Sequence, residues 1–228
     1  MQLLGRSVLF ASFLAETLAT HVQLGYTTLI GNNTLPVLEF FGGIPYAEPP
    51  LGNLRFQPPI LKPVLDVPTF NATNFGLSCL QPPINIAIIT PNITSSEDCL
   101  TVNIYRPVDS IRGNRLLPVM VFIHGGGFLS EFSKSFYHAQ NAHSLQREVQ
   151  ARWMVIPSFS EALLVYVFRE IILQQSTISH LQGTPVIYAS LNYRLGPLGF
   201  PQGAEAKKKG ALNLGLKDQH QENGQLCF

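Results

Sequence analysis

The residues best equipped for chemistry are His124-Gly125-Gly126-Gly127-Phe128, which follow the apolar run Val119-Met-Val-Phe-Ile123 without a break. A buried strand running straight into three glycines leaves backbone N–H groups with no Cβ to shield them, so the chain can approach a ligand closely and turn its amides inward. Such amides can stabilise an oxyanion: attack on a carbonyl moves charge onto oxygen, and a fixed donor aimed there lowers the barrier by about 3 kcal/mol. A plain glycine-rich turn at a strand exit is the alternative reading of the triplet. The pattern excludes a phosphate loop, since there is neither a GxxxxGK[ST] nor a GxGxxG after a strand. His21, His138, His143, His180 and His220 show no metal-ligand spacing, and no metal or organic cofactor is implied.

The elements that must position the glycines are short β-rich runs: Tyr26 to Ile30, Val37 to Phe41, Leu100 to Tyr105, Val119 to His124 and Val186 to Asn192. Leu100 to Tyr105 (LTVNIY) alternates, which suits a strand with one solvated face. The last two runs are nearly continuous and suit strands buried on both faces of a mostly parallel sheet. An α/β layered fold follows. A parallel pair needs a crossover helix between Phe128 and Thr184, and Ser158 to Ser176 is the best candidate for it.

Of the 228 residues 46% are hydrophobic, so a core can be built, and 13% are charged against a usual value of about 25%. With a net charge of +1 there is no electrostatic footprint for nucleic acid. Residues 1–19, with Arg6, the apolar stretch Ser7 to Leu14 and small residues at Thr17 to Ala19, read as a secretory signal peptide, an ordinary first helix being the alternative. No other run reaches the ~18 apolar residues of a membrane span. The sequons at Asn32, Asn71 and Asn92 lie in turn-like surroundings where a glycan could be carried, and they point to a secreted, extracellular protein. Cys79 and Cys99 bracket a Pro/Asn-rich segment whose closure by a disulfide would stabilise by ~3 kcal/mol; in a reducing compartment both would be buried thiols. Cys227 is left over near the C-terminus.

Five motifs stand in order: Phe41-Gly-Gly-Ile-Pro-Tyr-Ala-Glu-Pro-Pro-Leu-Gly-Asn-Leu-Arg-Phe56, Ser96-Glu-Asp-Cys-Leu-Thr-Val-Asn-Ile-Tyr-Arg-Pro107, Pro118 to Phe128, Pro185 to Phe200 (PVIYASLNYRLGPLGF) and Gly210-Ala-Leu-Asn-Leu-Gly-Leu-Lys-Asp-Gln219. In this order they resemble the type B carboxylesterases, the family that also holds cholinesterases and fungal lipases. The resemblance covers roughly residues 25 to 133 and 172 to 219, the N-terminal portion of a family member. It implies an α/β-hydrolase fold and hydrolysis of small-molecule or lipid carboxylic esters by a serine, a histidine and an acid. Position by position, it implies that Gly126 and Gly127 donate two N–H groups to the oxyanion hole. It further implies a Cys79–Cys99 disulfide and two buried ion pairs, Arg55 with Glu97 and Arg194 with Asp218. His124 is not the family's catalytic histidine and reads as packing or hydrogen bonding around the loop.

The sequence also departs from the pattern. No GxSxG occurs in the 228 residues, so the serine, acid and base of the family are missing and the chain is expected to be inactive alone. Residues 20–228 read as an incomplete α/β-hydrolase domain whose mostly parallel sheet stops before the nucleophile elbow. It carries an atypical insert at about 138–171, read as a retained intron translated in frame, a genuine lineage-specific insertion forming an extra helix being the alternative, and an atypical tail at 220–228. Trp153 falls in that insert and is not read as a substrate-stacking residue. A sheet cut after Val186 to Asn192 leaves an apolar edge and predicts poor solubility. The alternative function is a non-catalytic binding or adhesion module of the cholinesterase-like kind, though a binder has no use for an oxyanion hole.

Overall fold

The structure, a computed structural model, describes residues 20–35, 38–82, 94–108, 116–131 and 185–222. The expected signal peptide at 1–19, the expected helix at Ser158 to Ser176, Asn92, Trp153, the insert read at about 138–171 and most of the tail, with Cys227, lie outside the described residues.

Among the described residues ten strands come first: β1 (His21–Leu24), β2 (Thr27–Ile30), β3 (Asn32–Leu35), β4 (Leu38–Pro45), β5 (Thr69–Asn71), β6 (Ser78–Cys79), β7 (Ser95–Ser96), β8 (Thr101–Pro107), β9 (Val119–Ile123) and β10 (Ile187–Leu191). Three helices follow, α1 (Gly196–Gly199), α2 (Ala204–Lys208) and α3 (Leu214–Glu222). The central sheet has the order β3-β4-β8-β10-β9, beside a three-stranded sheet β1-β2-β5 and a two-stranded one, β6-β7. All five sequence-predicted strands are present. No helix of the described residues is long and apolar enough to cross a membrane.

The α/β fold stands, but the expected parallel character is confined to one pair of the central sheet. β9 and β10 run parallel, while β10–β8, β8–β4 and β4–β3 are antiparallel. β3 and β4 follow each other almost directly, a connection too short for anything but an antiparallel pair.

The strand order also corrects the position of the open edge. β10 is inserted between β8 and β9, so the apolar run Val186 to Asn192 is interior and, among the described strands, the outer one is β9. β10 is buried as its continuous apolar run suggests, whereas the burial expected of β8 and β9 is exchanged. On β9, Met120 and Ile123 are each 41% exposed although the run is continuously apolar. On β8 the alternation conceals burial on both faces: Thr101 through Tyr105 are all buried. Asn103 is tolerated there because its Oδ1 accepts from the Gly43 amide on β4 (3.0 Å) and its Nδ2 donates to Ser190 Oγ on β10 (3.4 Å).

Two hydrophobic clusters flank the sheet. One gathers Phe41, Ile44, Val102, Ile104, Leu191 and Leu195 with the smaller sheet's Leu29. The other is a row of rings crossing four strands, with Phe40–Tyr105 at 4.8 Å, Tyr105–Tyr188 at 6.0 Å and Phe122–Tyr188 at 6.4 Å between centroids. Such pairs each add about 0.5–1.5 kcal/mol beyond area burial. On β4 and β8, Glu39 stands opposite Arg106 and pairs with it (2.6 Å), while Thr20 donates to the other carboxylate oxygen (2.5 Å). The Arg106 guanidinium also lies over the Phe41 ring, 5.1 Å from its centroid.

Cys79 and Cys99 are joined by a disulfide with a Cα–Cα distance of 5.0 Å, and both are buried. The Arg194–Asp218 pair is buried, with side chains 3% and 0% exposed. Arg194 Nε and Nη2 donate to the two Asp218 oxygens at 2.9 and 2.7 Å, and Nη1 donates to the carbonyls of Arg55 (3.1 Å) and Gln57 (2.9 Å). The Arg55–Glu97 pair is bidentate (2.5 and 2.7 Å) but not buried as expected, because the Arg55 side chain is 45% exposed at the surface of the loop.

These contrasts set two expectations for chemical denaturation. Asp218→Asn leaves the Arg194 charge uncompensated in the interior and lowers stability by about 3–5 kcal/mol, whereas Glu97→Gln, facing a solvated partner, leaves the midpoint close to wild type. Replacing Cys79 and Cys99 together by Ala lowers stability by ~3 kcal/mol relative to the oxidised protein.

Candidate active site

The strand register places the site. Ile123 at the end of β9 is paired with Leu191 at the end of β10, so the residues that follow each strand, His124 onward and Asn192 onward, emerge side by side at the carboxyl end of a parallel pair. Ligands bind at this end in open α/β sheets.

The glycine loop bends through three successive left-handed residues, with φ of 119° at Gly126, 60° at Gly127 and 62° at Phe128. Gly126 has a second reason to be glycine, because a Cβ there would overlap the Ser130 carbonyl oxygen, whereas a Cβ on Gly127 would meet nothing. Phe128 is an L-residue held in a conformation that ordinarily costs about 1–2 kcal/mol. Its carbonyl accepts from the Gly196 amide (2.7 Å), and its ring packs on Phe200 with centroids 4.7 Å apart.

Carbonyl groups set the direction of the amides. In a trans peptide the C=O of one residue and the N–H of the next point in opposite directions, so fixing the oxygen aims the hydrogen. The Gly126 carbonyl is held inside the loop by the amides of Leu129 (3.1 Å) and Ser130 (3.2 Å) and by Ser130 Oγ (3.3 Å), which turns the Gly127 N–H outward. The Gly125 carbonyl is held by His124 Nδ1 at 2.9 Å, which aims the Gly126 N–H. A carbonyl only accepts, so Nδ1 carries the proton. Among the described residues, neither the Gly126 nor the Gly127 amide donates to any protein group. His124 itself is buried, its ring stacked on Tyr193 at 4.3 Å and 12°.

The sequence reading did not single out two residues that support this loop. Tyr193 donates its hydroxyl to the His124 carbonyl (2.9 Å); burial first, and then the negative charge of Glu131, push its pKa up to about 12, so it stays a donor at any physiological pH. Glu131 is buried, accepts from the Cys79 amide (3.4 Å) and gives its own amide to Gln81 Oε1 (2.5 Å), which ties the loop to the disulfide segment. Tyr193 had a sequence signal, as the second residue past a strand parallel to β9. Glu131 had none, because its contacts span some fifty positions.

Of the residues named from the sequence, Gly126, Gly127 and His124 form one site. Arg194 adjoins it through Tyr193, while Arg55, Glu97 and Asp218 brace the far side of the β10 exit. Beside the loop lies an open depression of about 610 Å³ walled by Gly127, Phe128, Leu129, Pro197, Phe200 and Pro201. Its apolar walls next to two unengaged amides suit a ligand with an apolar group on one side of a polarised carbonyl.

Gly126→Ala is expected to disrupt the loop through the Ser130 clash, read as accelerated amide exchange at residues 125–131. Gly127→Ala costs only the left-handed penalty of about 1–2 kcal/mol by denaturation. In an alkaline titration followed by tyrosinate absorbance, Tyr193→Phe removes a late-ionising component near pH 12. A folded-state pKa above the unfolded value of ~10 means that the stability Tyr193 contributes is complete below pH ~10 and is lost as pH rises toward 12, a loss absent in the variant.

Known proteins resemble this chain over most of its length. Lipase 5 of Diutina rugosa is 32% identical over 210 residues, covering 84% of this chain and 31% of its own length. The secreted triacylglycerol lipase LIP1 of Gibberella zeae is 31% identical over 211 residues, covering 84% and 29%. Among solved structures, a thermophilic pNB esterase superposes with a TM-score of 0.60 at 29% identity, over 91% of this chain and 35% of that one. Aspergillus niger EstA superposes at 0.61 with 24% identity, over 90% and 31%, a likeness of fold. The chain thus spans about a third of the length of the relatives it matches. A profile of the carboxylesterase family matches residues 19–148, more than half of the sequence, and the chain belongs to that family.

Proposed function

We propose that these residues form the oxyanion-stabilising side of a secreted carboxylic ester hydrolase. The observation that carries this reading is the pair of outward amides at Gly126 and Gly127, aimed by held carbonyls and unengaged by any described group. In the complete site a serine attacks the ester carbonyl, the two amides take the charge that develops on oxygen, and water then releases the acyl group. The acyl or alcohol part of a small-molecule or lipid ester lies in the depression beside Phe128. The 228 residues carry no GxSxG, so this segment supplies the oxyanion donors and is inactive alone. A non-catalytic binding module is disfavoured, since it would gain nothing from three left-handed residues in a row. Secretion is supported by the secreted lipase among the relatives and by the reading of residues 1–19.

The test is direct on the chain. With ¹⁵N-glycine labelling, titration with a long-chain alkylphosphonate, whose oxygens mimic the oxyanion, shifts the Gly126 and Gly127 amides selectively. Unmoved amides at saturating ligand would remove the oxyanion role. A fluorophosphonate probe leaves the 228-residue chain unlabelled; covalent labelling would reveal a nucleophile outside the GxSxG pattern.

A further inference from the structure

Two of the three sequons meet at one corner of the fold, and their side chains are in different states. Asn71 ends β5, the outer strand of the three-stranded sheet, and is exposed. Its Oδ1 accepts from the Thr73 amide (3.1 Å) and from Thr73 Oγ1 (2.7 Å), while no described residue accepts from its Nδ2. Asn32 is half-buried on β3, and its Nδ2 donates to the Thr73 carbonyl at 2.6 Å. The amide of one sequon thus clamps the turn that contains the other.

We propose that the fold carries an N-linked glycan on Asn71 and leaves Asn32 bare, an inference that rests on the secretory reading above. The reaction joins Asn71 Nδ2 to the anomeric carbon of a polyisoprenyl-diphosphate oligosaccharide. The bond from that carbon to the diphosphate oxygen breaks, the diphosphate leaves with the electron pair, and the Nδ2 proton passes to a base of the transferase. The two donors on Asn71 Oδ1 stabilise the charge that gathers on that oxygen as the nitrogen gives up its proton. A sugar on Asn32 would have to leave past the Thr73 carbonyl and would part β3 from the Asn71–Thr73 turn. At Asn71 it projects from the end of an outer strand, where bulk also discourages pairing with a foreign strand.

The experiment places an established endoplasmic-reticulum leader ahead of the full chain, in an Asn92→Gln background, and translates it with microsomes. Protease protection reports translocation, and glycosidase release in ¹⁸O-water marks the occupied asparagine by mass. The expected result is a single glycan on Asn71, retained in Asn32→Gln and Thr73→Ser and lost in Asn71→Gln and Thr73→Val. A mark on Asn32, or protected chains without a mark on Asn71, would overturn the proposal. Chains with only their own N-terminus that stay unprotected, while leader-bearing ones are marked at Asn71, would overturn the secretory reading and leave the site assignment standing.

Discussion

One buried arginine sets the conformation on which the site depends. Arg194 sends Nε and Nη2 to Asp218 and Nη1 to two carbonyls of the loop near Arg55, so four of its five N–H donors are engaged by protein groups. A charge in such surroundings admits very few alternative geometries, because each lost partner leaves an ion uncompensated in a medium of low dielectric. Three distant pieces of chain, the β10 exit, α3 and the loop after β4, are therefore locked to one another at a single residue. Its neighbour Tyr193 points to the other side of the same backbone and inherits that rigidity, carrying it to His124 through a stacked ring and a hydroxyl.

The glycine loop shows how a backbone can be aimed through its acceptors. None of the described groups around it accepts from the Gly126 or Gly127 amides; they hold the carbonyl at the other end of each peptide plane. The donors are thus oriented while keeping their hydrogen-bonding capacity for a ligand, the preorganisation that electrostatic catalysis requires. His124 contributes the Nδ1 donor that holds the Gly125 carbonyl, and its burial against Tyr193 fixes the orientation of that ring.

Much of this was legible in the sequence where the signal was local. Apolar runs marked the strands, and the glycine triplet marked the turn, because each depends on residues adjacent in the chain. The errors arose where a strand's neighbours decide the outcome. Leu100 to Tyr105 alternates yet is central, since Asn103 finds its partners on the strands to either side. Val119 to Ile123 is uniformly apolar yet is the outer strand of the sheet. Nothing in either run encodes the place of β10 between them. Likewise Arg55 and Arg194 sit in equally specific motifs, and only the packed structure distinguishes the half-exposed guanidinium from the enclosed one.

The insertion of β10 between β8 and β9 has a consequence for how the polypeptide acquires its shape. During synthesis β9 leaves the ribosome well before β10, and among the described strands it pairs with none made earlier than itself. The glycine bend is therefore born on a strand with nothing to lean on, and its geometry can be established only after the segment ending in Tyr193 and Arg194 arrives from much further along the chain. The order of appearance is the reverse of the order of dependence, a delay typical of non-local parallel pairing.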